Sequence, residues 1–248
     1  MIYLALPAYN EEQALPLLLQ NAQEKMKGLA YKVIVVDDGS KDGTVKAAKS
    51  FQDKMPLILI EHGKNQGLGR AMATIFDYSG KNAREEDFLV TMDADNTHDP
   101  ELIRKMMTEM NNADIVVASR YCRGGEQVGV NLFRRWLSRG VNFFMKILFP
   151  ITGADDYSCG YRLYRTTLIK QALSTYGDDL ISNNGFGCMP EILIKLAALG
   201  ARVKEVPLYL RYDLKKSQSK LRLGNILIEY INLVFSIKKS IKEHSKQI

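Results

Sequence analysis

Three aspartates lie within seven residues at the end of an apolar run, in the stretch FLVTMDADNTHDPE, residues 88–101. Neighbouring carboxylates repel one another, and a carboxylate at a strand end loses solvation unless a cation or a donor compensates it. Asp99, followed by Pro100, is explained as the cap of the helical pattern PELIRKMM. Asp93 and Asp95 remain unexplained. Two hard oxygen ligands that alternate along an extended segment suit Mg²⁺ or Mn²⁺, which retains waters and bridges to phosphates.

The elements that must position these aspartates are short β-branched runs alternating with helical patterns. The strand-like runs are IYLAL, YKVIVVD, LILIEH, FLVTMDA and ADIVVASRY, and each of the first four precedes an amphipathic stretch. Continuously apolar strands separated by helices predict an α/β fold with a mostly parallel, Rossmann-like sheet and helices on both faces. The alternation stops beyond residue 125, so we expect a single domain over residues 1–248 with C-terminal amphipathic helices.

Parallel sheets bind ligands at the carboxyl ends of their strands. This rule places five segments along one edge of the sheet, namely residues 7–10, 37–40, 62–65, 93–95 and 119–121. The segment DDGSKDGT, which begins with Asp37 and Asp38, is by itself explained as a turn followed by a helix cap at Ser40 or Asp42. The pair Asp93 and Asp95 is therefore the stronger candidate for chemistry.

Composition narrows the class of protein. The 248 residues are 46% apolar and carry a net charge of +6, which leaves nucleic acids, lipid headgroups and phosphorylated metabolites open as partners. Cys122, Cys159 and Cys188 form no CxxC pair and no zinc-ligand spacing with histidine, so we expect a reducing compartment and no structural zinc. The N-terminus MIYLALPAYNEE reads as a first strand and not as a signal peptide, and no run approaches the roughly 20 apolar residues of a membrane span.

Two nucleotide-binding classes are disfavoured by the glycine pattern. The stretch GKNQGLGRAM imitates a dinucleotide fingerprint, but Met72 stands at the third glycine position and the first strand leads into PAYNEE instead. No GxxxxGK[ST] motif occurs in the sequence, which excludes a P-loop ATPase.

The motifs PAYNEE, VVDDGSKDGT, NQGLGRA, DADNTHDP and SRY, in this order, resemble those of family 2 glycosyltransferases. The later stretches DYSCGYRLYR and VPLYLRYDLKKSQSKLR are similar to the subgroup of polyprenyl-phosphate glycosyltransferases, such as the dolichol-phosphate mannose synthases. The resemblance implies a GT-A-like fold, with a nucleotide-sugar-binding half over residues 1–125 and an acceptor-binding, membrane-interface half over residues 126–248.

The resemblance also implies roles for individual residues. The donor-binding set is Pro7, Ala8, Tyr9, Asn10, Glu11, Asp38, Gly67, Asp93, Ala94 and Asp95. The catalytic set is Asp93, Asp95, Arg120, Arg211 and Lys220, with Ser219 beside the last. The acceptor-phosphate set is Arg120, Arg134 and Ser138. The metal, Mg²⁺ or Mn²⁺, is expected on Asp95 and Asp93, and more weakly on Thr97, because related sequences often carry Gln at that position.

The stretch NLFRRWLSRGVNFFMKILF, residues 131–149, predicts an amphipathic helix. Its apolar face comprises Phe133, Trp136, Leu137, Val141, Phe144, Ile147 and Leu148, and its polar face Arg134, Arg135, Ser138, Arg139, Asn142 and Lys146. A helix that is aromatic on one side and cationic on the other is typical of a membrane interface, which we prefer to a core-packed helix with a solvated basic face. The C-terminal pattern NILIEYINLVFSIKKSIKEHSK fits either a second interfacial helix or a cover for the sheet.

These features imply transfer of a hexose, with inversion, from a nucleotide sugar to a polyprenyl or dolichyl phosphate by a protein attached peripherally to the cytoplasmic side of a membrane. GDP-mannose is the favoured donor; the alternative is UDP-glucose or another UDP-sugar, used on lipid phosphate or on a polysaccharide hydroxyl. A phosphate acceptor is already anionic and needs no base. With a hydroxyl acceptor, Asp156 and Glu191 are the candidate bases; otherwise both orient other groups or are structural.

Other classes fit less well. A sugar-phosphate nucleotidyltransferase would carry a glycine-rich basic loop near its N-terminus, whereas LPAYNEEQ is acidic. A non-enzymatic membrane-binding module leaves the aspartates without a purpose. We expect no nucleic-acid partner, and a membrane-protein partner is compatible with the resemblance.

Overall fold

The computed structural model describes residues 1–215 and 226–244 and contains one seven-stranded sheet. The strands, in spatial order, are β3 (Leu57–Glu61), β2 (Tyr31–Asp37), β1 (Ile2–Ala8), β4 (Phe88–Thr91), β7 (Arg162–Arg165), β5 (Ile115–Ser119) and β8 (Val203–Pro207). Neighbouring strands are parallel except at β7, which pairs antiparallel with both β4 and β5. The predicted α/β, mostly parallel sheet is confirmed.

Both faces of the sheet are covered, as the continuously apolar strands predict. Leu4, Ala5 and Leu6 of β1 are all fully buried, although successive side chains of a strand point to opposite faces. The expectation that alternation ends at residue 125 is wrong for the sheet, because β7 and β8 both lie beyond that residue and join it. The short polar sequence of β7, RLYR, gives little strand signal by itself.

Eight helices occur in the described part of the chain. They are α1 (Leu15–Lys25), α2 (Thr44–Lys49), α3 (Leu68–Asn82), α4 (Leu102–Glu109), α5 (Leu132–Leu148), α6 (Thr166–Tyr176), α7 (Cys188–Ala198) and α8 (Ile226–His244). The helices α3, α6, α7 and α8 pack on one another, whereas α1 packs on α2, and α4 on β5, β7 and β8. The C-terminal helix α8 packs on α6 and α7, with Leu233, Val234 and Ile237 buried, while Ile231 and Phe235 on its other side are exposed.

A second, two-stranded sheet lies beside the carboxyl edge of the main sheet. It pairs β6 (Glu126–Val128) in parallel with β9 (Tyr209–Arg211), and a short 3-10 helix over Tyr212–Leu214 follows β9. The backbone N–H of Arg211 donates to the carbonyl oxygen of Thr97 at 3.1 Å, which joins the small sheet to the turn after β4. The residues that follow β9 are thereby held close to the candidate aspartates.

Candidate active site

Asp93 and Asp95 follow β4 and line a cavity of about 160 Å³ at the carboxyl edge of the sheet. The cavity is lined by Asp93, Asp95, Thr97, His98, Arg120, Ser158, Cys159, Gly160, Phe186, Leu210, Tyr212 and Lys215. The predicted residues Asp93, Asp95, Thr97 and Arg120 are therefore brought together in one site. Of the other lining residues, His98 belongs to the same turn as the aspartates, and the rest come from beyond residue 125, where the sequence analysis assigned no individual roles to them.

Asp95 is held firmly by its own turn. Its Oδ1 accepts hydrogen bonds from the hydroxyl of Thr97 at 2.6 Å and from the Thr97 backbone N–H at 3.2 Å. Its Oδ2 pairs with the ammonium group of Lys215. Burial by itself would raise the pKa of Asp95, but the charges of Lys215 and His98 and the hydrogen bonds from Lys215 and Thr97 together outweigh burial, and the pKa is lowered. Asp95 is therefore an anion, and the Thr97 hydroxyl serves first to orient it.

Asp93 has a different environment, although it lies two residues away. Burial raises its pKa, and the nearby charge of Asp95 adds to the increase. Among the described residues, no hydrogen-bond donor to its carboxylate is present, and its Oδ1 lies where a side chain at Gly160 would come within 3.2 Å. Among the described residues, the pair thus combines one carboxylate in an ion pair with one that accepts no hydrogen bond.

The donor set fits a hard divalent ion. Within residues 1–215 and 226–244, no group of three or more His, Cys, Asp and Glu side chains is placed to hold a metal, so Asp93 and Asp95 are the carboxylates that the described part of the cavity offers. Mg²⁺ and Mn²⁺ are commonly bound by one or two carboxylates, with waters and substrate phosphates completing the shell. An ammonium group already lies on Asp95, which shows that this position attracts a cation.

Lys215 is the site residue that sequence reasoning missed. Arg211, which the family resemblance names as catalytic, lies nearby in the sequence. Its guanidinium pairs with Asp213 at 2.7 Å on the surface, and Arg211 does not line the cavity. The predicted catalytic residue Lys220, like Ser219, lies outside the described residues. The only sequence signal for Lys215 was its place in the basic stretch after β9, which could not distinguish one cation from another.

The donor-binding candidates before residue 70 form a separate group beside this cavity. Pro7 and Ala8 end β1, and the backbone N–H of Asn10 donates to the hydroxyl of Ser40 at 2.9 Å. The backbone N–H of Glu11 donates to the hydroxyl of Thr44 at 2.8 Å. The ends of β1 and β2 are therefore joined, as the edge rule predicts, with Tyr9 between them. None of these residues lines the cavity at Asp93.

Asp38 organises the turn that leads into α3. Its carboxylate accepts from the backbone N–H groups of Gln66 and Gly67, at 2.9 and 2.8 Å, and lies 2.9 Å from Nδ1 of His62. Gly67 has a φ of +95°, and a side chain there would meet the carbonyl oxygen of Asn184 at 2.3 Å. The predicted donor-binding residues Asp38 and Gly67 are in contact, and in this structure the Asp38 carboxylate stabilises the turn. Ala94, another predicted donor-binding residue, is buried and lies between Asp93 and Asp95 in the sequence.

Arg120 is fixed by a fully buried carboxylate, Asp156. Its Nε and Nη2 each donate to that carboxylate at 2.7 Å, and Nη2 also donates to the hydroxyl of Ser158 at 2.7 Å. Asp156 raises the pKa of Arg120 against the opposing effect of burial. The third nitrogen, Nη1, makes no hydrogen bond to any described residue, and Arg120 lines the cavity. One edge of a permanently charged guanidinium is therefore available to an anion.

The helix α5 is connected to Arg120 through Asn142, which the sequence analysis placed on the polar face. Asn142 is buried, and its amide donates to Ser158 at 3.1 Å and to the Ser138 carbonyl at 2.7 Å. The hydroxyl of Tyr121 donates to the hydroxyl of Ser138 at 2.8 Å. Ser138 and Asn142 thus face the fold, which corrects the two-sided picture of the helix. The side chain of Arg134, in the first turn, is outside the described structure.

Glu191, one of the two candidate bases, has a structural environment. It is fully buried with Lys195, whose ammonium donates to it at 2.7 Å, and it also accepts from the backbone and hydroxyl of Ser182 and from the backbone of Asn183. The loop it holds places the carbonyl oxygen of Asn184 against the backbone N–H of Gly69 at 2.9 Å. Asp156 and Glu191 are both committed to cations and backbone donors, and neither lines the cavity.

The outer side of α5 exposes an apolar stripe. The side chains of Leu132, Phe133, Trp136, Phe143 and Ile147 are each more than 60% exposed, at 69%, 67%, 71%, 67% and 61%. Phe143 belongs to this stripe although the sequence analysis did not include it, and Leu137, Val141, Phe144 and Leu148 are only half-buried or partly exposed. An exposed row of large apolar residues marks an interaction surface. None of the described helices combines the length and the apolarity that crossing a bilayer requires.

The sheet order and the paired aspartates at its edge define a GT-A-like α/β fold. Glucosyl-3-phosphoglycerate synthase from Mycobacterium tuberculosis, solved with Mn²⁺, UDP-glucose and phosphoglyceric acid, superposes with a TM-score of 0.67 at 18% identity, covering 96% of this chain and 79% of that one. TarS from S. aureus, solved with UDP-GlcNAc, gives a TM-score of 0.63 at 18% identity, covering 97% and 66%. At this identity the similarity concerns the fold.

The chain belongs to glycosyl transferase family 2, whose family model matches residues 3–173. It is 32% identical over 204 residues to an undecaprenyl-phosphate mannosyltransferase from Micrococcus luteus, covering 82% of this chain and 80% of the relative. It is also 32% identical over 238 residues to a dolichol-phosphate mannosyltransferase from Pyrococcus furiosus, covering 94% of this chain and 62% of the relative. The chain thus spans about three fifths of the archaeal relative. The family predicted from the motifs is confirmed.

Proposed function

We propose that this glycosyltransferase transfers a hexose, with inversion, from a nucleoside-diphosphate sugar to a polyprenyl or dolichyl phosphate, and that the donor is GDP-mannose. The two curated relatives, each 32% identical, are named for mannose transfer on dolichol phosphate or undecaprenyl phosphate. Residues 1–125 supply the carboxylates and Arg120, and residues 126–248 supply Ser158, Lys215 and α5. In this proposal the first half binds most of the donor and the second half most of the acceptor, while Arg120 and Lys215 lie where the two meet in the cavity.

The observation that carries the proposal is the hydrogen-bonded chain from the cavity to α5. Arg120 donates to Ser158, Asn142 donates to Ser158, and Asn142 donates to the carbonyl oxygen of Ser138. This chain joins a guanidinium with a free edge to a helix whose other side is an exposed apolar stripe. A phosphate attached to an isoprenoid chain needs both features, because its head is anionic and its tail is insoluble in water.

The mechanism follows from the charges of these residues. Arg120, together with Arg134 and Ser138, orients the acceptor phosphate, whose anionic oxygen attacks the anomeric carbon from the side opposite the leaving diphosphate. No proton must be removed from a phosphate anion, which agrees with the commitment of Asp156 and Glu191 to other groups. A divalent ion on Asp93 and Asp95 would neutralise the charge that grows on the leaving diphosphate. Arg211 and Lys220 would add positive charge on the same side.

We further propose peripheral attachment to the cytoplasmic side of a membrane through α5. The exposed stripe has Arg135, Arg139 and Lys146 beside it on the same helix, and the combination of aromatic and basic side chains suits an anionic lipid surface. The three cysteines are unpaired, which suits a reducing compartment.

The test is incubation with labelled GDP-mannose, UDP-glucose and other nucleotide sugars, Mg²⁺ or Mn²⁺, and polyprenyl phosphate, followed by extraction into organic solvent. We expect label in the organic phase with GDP-mannose and none when the lipid phosphate is replaced by the dephosphorylated polyprenol. Label transferred only from UDP-sugars would change the donor assignment. Label that stays in the aqueous phase with every donor would reject the lipid-phosphate acceptor and favour a hydroxyl acceptor.

A further inference from the structure

The ion pair between Lys215 and Asp95 lies where the metal of the proposed function would bind. The ammonium group of Lys215 contacts Oδ2 of Asp95, and the two side chains are only 16% and 9% exposed. The other oxygen of Asp95, Oδ1, is occupied by the hydroxyl and backbone N–H of Thr97. Both carboxylate oxygens are therefore in use, and an ion that binds Oδ2 competes with the ammonium group for that oxygen.

The backbone around Lys215 brings this side chain to the aspartate. The backbone N–H of Arg211 donates to the carbonyl oxygen of Thr97, two residues from Asp95, and the backbone N–H of Lys215 donates to the carbonyl oxygen of Tyr212 at 3.2 Å. The strand β9 that precedes this turn is paired with β6. A side chain at Gly129 would come within 2.6 Å of the backbone nitrogen of Asp213, so the packing is close. The position of Lys215 is thus set by the backbone contacts of the residues that precede it.

The charges around the cavity explain why a cation is needed there. Asp93 and Asp95 lie two residues apart, and the positive charge of Arg120 is already matched by Asp156. Among the described lining residues, Lys215 is the one whose cationic group directly contacts a carboxylate of the pair, with the ring of Tyr212 5.6 Å from its ammonium group, and His98 lines the same cavity. A divalent ion would perform the same compensation with more charge, and two cations on one carboxylate oxygen would repel each other.

We propose that Lys215 is the resident cation of the site, that a divalent ion displaces it from Asp95, and that the released ammonium group then pairs with the diphosphate of the donor. The ion and Lys215 thus compete for Asp95 until a diphosphate is present, after which both stabilise it. The inference rests on the proposed function for the identity of the ion and of the diphosphate.

The experiment is a titration with Mn²⁺ alone, followed by electron paramagnetic resonance of the free ion, on the wild-type chain, Lys215→Met and Lys204→Met. Methionine keeps a similar length without the charge. Lys204 is the matched control because its ion pair with Glu109, at 2.9 Å, contains no cavity residue. We expect Lys215→Met to bind Mn²⁺ at least about tenfold more tightly than wild type, which corresponds to roughly 1.4 kcal/mol, and Lys204→Met to match wild type.

A second titration adds GDP to each protein at saturating Mn²⁺. We expect Lys215→Met to bind GDP about tenfold more weakly than wild type, because the released ammonium is missing. Mn²⁺ affinity of Lys215→Met within twofold of wild type, or unchanged GDP affinity, would overturn the inference while leaving the proposed reaction intact. Absence of Mn²⁺ binding in all three proteins would overturn the inference and the metal site together. Lys215→Gln is measured as a second uncharged variant, so that a folding defect in one variant does not decide the result. Circular dichroism verifies that each variant is folded.

Discussion

Replacement of Asp156 by asparagine tests whether this carboxylate positions Arg120 or acts as a base. Asp156 is fully buried and receives two hydrogen bonds from the Arg120 guanidinium and three from the backbone N–H groups of Arg120, Ser158 and Cys159. Asparagine keeps the shape and one acceptor oxygen, but its amide group meets the guanidinium as a second donor. Asp156→Asn therefore leaves a buried cation without its partner.

The expected cost follows from these contacts. Breaking a buried ion pair by removing one partner typically costs about 3–5 kcal/mol. The retained oxygen keeps part of the backbone interactions, so we expect a loss of about 3 kcal/mol in the free energy of unfolding. Burial raises the pKa of Asp156, but Arg120 outweighs burial and lowers it. The stabilisation is thus present above the ordinary aspartate pKa of about 4 and is lost as the pH falls through the lower folded-state pKa.

The assay is urea unfolding at pH 7 and at pH 3, with Asp155→Asn as the control. Asp155 is the adjacent residue and pairs with Lys146, but it is 47% exposed, so we expect a change of less than about 1 kcal/mol. The difference between wild type and Asp156→Asn should narrow at pH 3. In activity assays we expect Asp156→Asn to have a higher KM for lipid phosphate, because Arg120 is no longer held in place. A variant of unchanged stability and unchanged acceptor KM that has lost kcat would refute the positioning role and support a base.

Three further changes probe α5 and the loop at α3. Asn142→Leu should lower the free energy of unfolding by about 2 kcal/mol and raise the acceptor KM, because three hydrogen bonds are lost in a buried place; an unchanged urea midpoint would contradict this. The double replacement of Trp136 and Phe143 by serine should leave urea unfolding nearly unchanged but weaken binding to phosphatidylglycerol vesicles at least about tenfold in sedimentation; equal sedimentation would contradict the membrane role of α5. Gly69→Ala should lower the free energy of unfolding by about 1–3 kcal/mol, because the added methyl group would lie 1.8 Å from a backbone carbonyl oxygen. The control Gly140→Ala, which has open space around the added methyl group, should be neutral or stabilising in the same thermal melts.

The local part of the site could be predicted because it follows from strand geometry. The carboxyl ends of parallel strands meet at one edge, so the ends of β4 and β5 bring Asp93, Asp95 and Arg120 together in the structure as expected. The turn that leads into α4 is a local property as well, although Asp99 is not its N-cap: the helix begins at Leu102 after Glu101, and Oδ1 of Asp99 accepts from the Glu101 backbone N–H at 2.9 Å within the preceding turn. The strand ends and turns that determine these placements can be recognised from residues a few positions apart.

The non-local part could not be predicted from the sequence. The pairing of Lys215 with Asp95 joins residues 120 positions apart, and that of Arg120 with Asp156 joins residues 36 apart. Arg162 shows the same limit for the fold. An arginine predicts an exposed position, yet Arg162 of β7 is fully buried, and its guanidinium donates to the carbonyl oxygens of Met189 and Tyr157. Helical periodicity divides α5 into one apolar face and one polar face. In the structure, one side of α5 packs on the fold and the other side is exposed, and each side carries both apolar and polar residues.

The role of a buried carboxylate depends on its partners, which explains why Asp156 and Glu191 could not be distinguished from catalytic bases in the sequence. In the structure each is surrounded by a cation and several backbone N–H groups, and for Asp156 the result is a pKa below its ordinary range. Of the carboxylates, only Asp93 and Asp95 line the described cavity, and Asp95 already carries a cation. A site with this arrangement is suited to binding and orienting charged groups. In the proposed reaction the acceptor arrives as an anion, which agrees with the placement of Asp156 and Glu191 outside the cavity.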